Sequence, residues 1–332
     1  MKKIKKIIIA ASAIALTAIV AMSVVIYGYS SQNRTVYETL DNGETENDAR
    51  SENILFLGTD AQAGLTDVIM LINIDRSQGR MTVMQIPRDT YAAYTDASYK
   101  KLNGAYIALG GAKQTAEFIG DVMGIDIHHY MCISLETLGK AVDAVGGVEI
   151  DLPVDMTYSD PEQGLYIDLK AGKQTLDGNT AQHFVRFRAE YVNGDLGRID
   201  AQKLFMAAFF KRVSENFSPI IAAKLTAAVD GVETDLSAAD MFMIGSRAIG
   251  LGSGNIFFVT LPGEEATATE SGASYYVISA NSASELTGIY FGRTSDFDRN
   301  GKLLNNRYES FRRIYGEYRE YSPVSVAEML GG

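Results

Sequence analysis

Apolar residues fall into two patterns along the chain. Near the start they form one unbroken run, and from Asn53 onward they come in short blocks separated by turn residues. Asn53–Gly58 and Asp67–Asp75 are dense in Ile, Leu, Phe, Val and Met, as strands buried on both faces are. Met81–Ile86 alternates, with Met81, Val83 and Gln85 on one side and Thr82, Met84 and Ile86 on the other. Helical spacing follows in Ala112–Met123 and in Leu135–Val145, the latter stopped by Gly146-Gly147 and followed by a short strand, Val148–Leu152. Further helices are predicted over Asp195–Asn216 and Pro219–Val229. Ser237 with Asp240 reads as a capping box for a helix through Ile249, before a strand Asn255–Leu261. Strands interleaved with helices predict an α/β domain, a mixed central sheet with helices on both faces.

The first run has a different meaning. Lys2, Lys3, Lys5 and Lys6 precede an apolar stretch, Ile7–Tyr27, that would span ~31 Å as a helix, about the thickness of a bilayer core. It predicts one transmembrane helix. Lysines before it and Glu38, Asp41, Glu44, Glu46 and Asp48 after it place the N-terminus in the cytoplasm and the body outside, in a single-pass cell-membrane protein. A cleaved signal peptide ending at Gly28-Tyr29-Ser30 is the rival reading, but the run exceeds the usual apolar core of ~7–15 residues. The expected organisation is a basic tail 1–6, a membrane helix 7–27, a polar linker 28–52, a catalytic domain 53–292 and a C-terminal extension 293–332.

Charge and cysteine content narrow the chemistry. The net charge is −11, and the lysines before residue 7 oppose no acid, so the extracytoplasmic body is more acidic still. Such a body argues against nucleic-acid binding. One cysteine, Cys132, excludes an internal disulfide and a site built of several thiolates. Neither a Gly-rich nucleotide loop nor a Ser/His/Asp hydrolase signature is present.

Four places put polar groups where an apolar run has just ended: Asp60 and Asp67 around a short turn, Ile86-Pro87-Arg88-Asp89, Arg186-Phe187-Arg188, and Asp195-Leu196-Gly197-Arg198 with Gln202. Arg198 and Gln202, four residues apart, share one face of the helix that starts near Asp195. Guanidiniums beside carboxylates in an acidic chain suit a diphosphate bridged by a divalent cation, because arginine meets phosphate oxygens with paired donors. Surface ion pairs are the plainer alternative.

Eight strings then carry a resemblance. Asn53-Ile-Leu-Phe-Leu-Gly-Thr-Asp60, Thr66-Asp67-Val-Ile-Met-Leu, Ile86-Pro-Arg-Asp-Thr90, Lys101-Leu-Asn103 with Ala105-Tyr106, Val145-Gly-Gly-Val148, Leu176-Asp-Gly178, Phe184-Val-Arg-Phe-Arg188 and Gly194-Asp-Leu-Gly-Arg198 resemble, in order, the LytR-CpsA-Psr family over about residues 53–290. The resemblance implies an α-β-α fold and a membrane-anchored phosphotransferase. Its expected reaction moves a polyprenyl-diphosphate-linked glycopolymer, of teichoic acid or capsule type, onto peptidoglycan in a Gram-positive envelope and releases polyprenyl phosphate. It further implies Asp60 and Asp67 as ligands of Mg²⁺ (or Mn²⁺), Arg88, Arg186, Arg188, Arg198 and Gln202 as diphosphate-binding residues, and Arg88, Asp89, Lys101, Asp195 and Gln202 as catalytic positions. Asp67, Asp89 and Asp195 all remain open as the group that accepts the acceptor's hydroxyl proton. The alternative reading is a non-catalytic envelope protein that binds polyprenyl lipid or cell-wall polymer.

The pattern is departed from at Gln62, Leu65 and Ala201, where the family usually has arginine, and fewer cations should weaken diphosphate binding. Remaining features are expected to be structural. Asp296–Gly301 resembles half a calcium loop, but Arg307 stands at its twelfth position, so a polar turn is predicted. Adjacent His128 and His129 should point to opposite faces of a strand, and Cys132 should be inert packing. A helix with a solvated basic face is predicted around Arg307–Arg313.

Overall fold

The computed structural model describes residues 51–59, 64–95, 100–161, 165–187, 191, 194–216, 224–225, 228, 232–303, 311–313 and 322–331. The expected membrane helix and linker up to Arg50 and most of the expected helix 219–229 lie outside these residues. No described helix is long and apolar enough to cross a membrane.

Three long strands open the fold: β1 (Ser51–Thr59), β2 (Thr66–Asp75) and β3 (Arg80–Ile86) form an antiparallel meander. Short α1 (Ala105–Leu109) and α2 (Ala112–Met123) lead to β4 (His129–Ser134), which pairs parallel with β1. After α3 (Leu135–Ala144), β5 (Val148–Leu152) and β8 (Gly172–Leu176) make one two-stranded sheet, and β6 (Met156–Asp160) and β7 (Leu165–Leu169) another. Next come α4 (Gly178–Arg186), α5 (Gly194–Glu215), β9 (Glu233–Thr234), α6 (Ala238–Leu251) and β10 (Ile256–Thr260). β11 (Gly263–Ala268), β12 (Ser274–Ile278), α7 (Ala280–Tyr290), β13 (Phe311–Arg313), β14 (Val324–Ser325) and α8 (Val326–Met329) complete the described chain.

The central seven strands run in the order β14-β10-β3-β2-β1-β4-β9. β1, β3, β4 and β10 point the same way, so their C-terminal ends share one edge with the start of β2. This is the mixed sheet expected, with an apolar layer on each face. Ile54, Phe56, Met70, Ile72 and Val83 pack on one side with α3, α4, α5 and α6; Leu55, Leu57, Ile69, Leu71 and Met84 pack on the other with α2 and α7. Strict alternation along fully buried strands sends successive side chains to opposite cores, each large one contributing about 1.5–3 kcal/mol. A second sheet, β12-β11-β13, lies beside the first.

Local signals explain most boundaries. Ser237 and Asp240 form the expected reciprocal capping box of α6. Ser134 and Asp177 cap α3 and α4 by accepting from Thr137 and Thr180 N–H. Of the helix expected around Arg307–Arg313, residues 307–310 lie outside the described residues, and the rest is corrected: Phe311–Arg313 is a strand paired with β11, because an open sheet edge offers its backbone hydrogen bonds. Asp296–Gly301 is indeed a polar turn, in which Asp298 accepts from Lys302 and Leu303 N–H while Arg299 and Asn300 bind Asp121 on α2.

Asn53, the first residue of the family resemblance, is 3% exposed and structural. Its Nδ2 donates to the carbonyls of Asp126 (2.8 Å) and Phe291 (2.9 Å), and its Oδ1 accepts from Asn73 (2.8 Å). Nearby, His129 lies 3.4 Å from both Glu52 and Asp235, with Arg76 and Arg247 also beside Glu52 and Asp240 within electrostatic reach. Glu52, and then Asp235, hold the His129 imidazole above its ordinary value, while His129 and the two arginines hold Glu52 below its own.

Two outcomes follow from these polar groups. Asn53→Ala should lower unfolding free energy by about 3 kcal/mol in urea titration, since it strands buried hydrogen-bonding groups. The His129–Glu52 pairing stabilises most where the imidazole is charged and the carboxylate ionised. A raised histidine contributes fully below its unfolded value and loses that contribution as pH rises through the folded one; a lowered carboxylate loses its own as pH falls. The Tm difference between wild type and His129→Gln should therefore be larger at about pH 5.5 than at about pH 9.

Candidate active site

The sheet edge where β1, β3, β4 and β10 end collects the unusual polar residues. Asp67 is the second residue of β2, and a bulge at Gly58/Thr59 marks where β1 and β2 lose regular pairing. Gly64 sits in the turn before β2 at φ +61°, a conformation costly for other residues, and a side chain there would collide with Ile107 of α1. β3 stops at Pro87, which cannot continue the ladder, and the chain turns through Arg88 and Asp89.

Arg88 Nη1 lies 2.6 Å from Asp67 Oδ1, and both residues are 3% exposed. A buried carboxylate needs such a partner, and a charge-assisted bond at this distance is among the stronger polar contacts. Asp89 extends the chain of charges: its Oδ1 is 3.8 Å from Arg88 Nε and its Oδ2 accepts from Lys101 Nζ at 2.9 Å. Backbone contacts hold the turn, with Asn103 N–H donating to the Arg88 carbonyl and Leu102 N–H to the Thr90 carbonyl. Thr66 donates its hydroxyl to the Asn103 carbonyl, tying the start of β2 to the same segment.

The second part of the site comes from α5. Arg198 and Gln202 share its inward face, at 1% and 0% exposure. Gln85 of β3 donates to Gln202 Oε1 (2.8 Å), and Gln202 Nε2 donates to the Val185 carbonyl at the end of α4 (3.2 Å). The helix that presents Arg198 is thereby fastened to the strand that leads to Arg88. Lys203, the next residue, reaches Thr260 at the end of β10 (3.1 Å) and Asp200 (2.7 Å).

Of the residues singled out in the sequence, Asp67, Arg88, Asp89 and Lys101 form one cluster, and Arg198 and Gln202 form a second polar layer on α5. Arg186 is half-buried at the end of α4. Asp60, Arg188 and the Asp195 side chain lie outside the described residues, as does Gln62. Ala201 packs in the apolar core, where an uncharged side chain suits its surroundings. Sequence reasoning had missed Gln85, Lys203 and Thr260 as parts of the site; a glutamine on a buried strand face between apolar residues was the available signal for the first. Cys132 is inert as expected, because burial pushes its thiol up to about 12.

The fold is a mixed α/β sheet with a buried Asp67–Arg88 pair, continued by Asp89 and Lys101, where its parallel strands end, and comparison with known proteins identifies the family that shares it. The sequence profile of the LytR_cpsA_psr family matches residues 22–290. Polyisoprenyl-teichoic acid–peptidoglycan teichoic acid transferase TagU of Enterococcus faecalis is 31% identical over 253 residues, 72% of this chain and 81% of TagU. TagV of Bacillus subtilis, with the same transferase name, is 31% identical over 221 residues, 63% of this chain but only 56% of TagV. A crystal structure from Enterococcus faecalis, described as a transcriptional regulator, superposes with a TM-score of 0.62 at 27% identity, covering 76% of this chain and 91% of the other. The chain belongs to the LytR_cpsA_psr family, and with it to the transferases.

Arg88→Ala removes the cation 2.6 Å from a buried carboxylate. Beyond any effect on activity, it should lower stability by about 3–5 kcal/mol, read from urea unfolding, whereas Arg88→Lys should lose less.

Proposed function

We propose that the protein transfers a polyprenyl-diphosphate-linked anionic glycopolymer, of teichoic acid or capsule type, to a hydroxyl of peptidoglycan, from the outer face of the membrane that its N-terminal helix spans. The observation that carries this reading is the buried Asp67–Arg88 pair continued by Asp89 and Lys101 at the sheet edge, in a chain related to teichoic acid transferases.

The chemistry suits the residues. The acceptor oxygen attacks the phosphorus that bears the glycopolymer, a new P–O bond forms, and the bond to the bridging oxygen breaks, so that polyprenyl phosphate leaves. Arg88, Arg198 and Arg186, with Arg188, supply cations for the charge that grows on the leaving phosphate. Gln202 fixes Arg198 by anchoring α5 to β3. Of the two described carboxylates that could take the acceptor's proton, Asp67 is buried against Arg88, whereas the Asp89 side chain keeps 25% of its surface. Asp89 is therefore assigned the proton, with Lys101 holding its carboxylate in place.

A divalent cation belongs to the same proposal: Asp60 lies outside the described residues, and the Asp67 carboxylate, already paired with Arg88 through Oδ1, is the described donor. Asp67 offers a hard oxygen ligand at the head of β2, Asp60 follows the last residue of β1, and those two strand ends, Thr59 and Thr66, are paired. Magnesium needs only one or two protein carboxylates when phosphate oxygens complete its shell. Mg²⁺ held there by Asp60 and Asp67 would neutralise diphosphate charge.

The decisive measurement is release of polyprenyl phosphate from a polyprenyl-diphosphate-linked glycopolymer by the full chain with Mg²⁺ and peptidoglycan. Wild type should turn over, and substrate bound without any release would instead identify a binding protein. Asp89→Asn should lower kcat by about 10²-fold or more with little change in KM. Asp60→Ala should shift the magnesium dependence to higher concentration, and superimposable titrations would remove Asp60 as a ligand.

A further inference from the structure

The end of the chain, beyond the stretch matched by the family profile, returns to both sheets. β14 borders β10, and β13 borders β11 with Phe311 opposite Ala268. Phe311 there meets two tyrosines. Its ring lies 5.1 Å from that of Tyr91 at 74° and 5.8 Å from that of Tyr275 at 78°, while Tyr91 and Tyr275 are 5.4 Å apart at 77°. Each pair is edge-to-face, the arrangement in which a ring's positive rim meets its neighbour's negative face, so the three rings hold one another in a single geometry.

This triad adjoins the catalytic turn. Tyr91 is fully buried, two residues after Asp89 and three after Arg88. Tyr91 N–H donates to the Tyr276 carbonyl (2.9 Å), and Tyr276 N–H donates to the Asp89 carbonyl (2.8 Å). Tyr275, the next residue back on β12, has Lys101 Nζ 5.9 Å from its ring centre, and Lys101 is the 2.9 Å partner of Asp89. β12 therefore holds the Arg88–Asp89 turn through its backbone and Lys101 through its ring. Phe311 packs on both tyrosines that make this wall.

We propose that Phe311 is a positioning residue. Supplied by the C-terminal extension, it locks the Tyr91–Tyr275 wall and so keeps Asp89 and Lys101 in the register that the transfer requires. Phe311 acts through its ring contacts with Tyr91 and Tyr275. The claim about turnover rests on the transferase reading above; the claim about the wall does not.

The test uses the full chain in detergent, with Phe311→Leu, which removes the ring but keeps an apolar side chain, Phe311→Tyr, which restores the ring, and Val326→Ala. Val326 is C-terminal like Phe311 but is fully buried at the start of α8, in the main core rather than in the triad's cluster. Two quantities are read, amide hydrogen exchange over residues 87–103 and release of polyprenyl phosphate. Phe311→Leu should speed exchange in that segment by about tenfold, with β1 and β2 unchanged. It should lower kcat by about tenfold with KM altered by less than about twofold. Phe311→Tyr should restore both, and Val326→Ala should lower Tm without moving either. Unchanged exchange in Phe311→Leu overturns the proposal, as does an equal change in Val326→Ala, which would mark general loosening. If wild type releases no polyprenyl phosphate, the transferase reading fails by itself, and exchange in Phe311→Leu still decides whether the wall depends on this ring.

Discussion

A carboxylate and a guanidinium, each 3% exposed, sit 2.6 Å apart where the central sheet ends. Taking either charge out of water alone would cost several kcal/mol, so Asp67 and Arg88 must remain together, and everything that carries them must arrive in register. β2 and β3 bring them together as neighbouring antiparallel strands, with Ile69 opposite Ile86 just before the pair forms. A one-residue slip would swap the two cores and separate the charges at once.

Several features serve that constraint. Pro87 ends the ladder before Arg88, and the backbone of Leu102 and Asn103 closes on the turn from one side while Tyr276 closes on it from the other. Gln85 and Gln202 join β3 to α5 in the layer beneath, so that Arg198 is carried on a helix fixed to the strand that leads to Arg88. Buried polar networks of this sort raise the precision of a site because each unmet bond would be costly. Asp89 and Lys101, nearer to solvent, form the more exposed part of the cluster.

The opposite edge of the sheet shows a different use of charge. Glu52, Arg76, His129, Asp235 and Arg247 gather around the first residues of β1. Those contacts are partly exposed and longer, 3.4–3.9 Å, so each contributes modestly to stability. The apolar layers on the two sheet faces supply the larger share of stability.

The sequence by itself determined the strands and helices with strong periodicity. Ala112–Met123 and Val148–Leu152 have the bounds their patterns imply, because alternation and capping are local properties. It also determined the family, since the strings around Asp67, Arg88 and Arg198 occur in order. Weakly patterned strands such as β6, β7 and β13 were not legible; their pairing energy comes from partners distant in sequence or from an available edge. Likewise, nothing in the spacing of Asp89, Lys101, Tyr275 and Phe311 shows that they meet. Only the tertiary structure decided that Asp67 is buried against Arg88 while Asp89 faces outward, because burial depends on which elements stack over a residue, and sequence neighbours alone do not specify that.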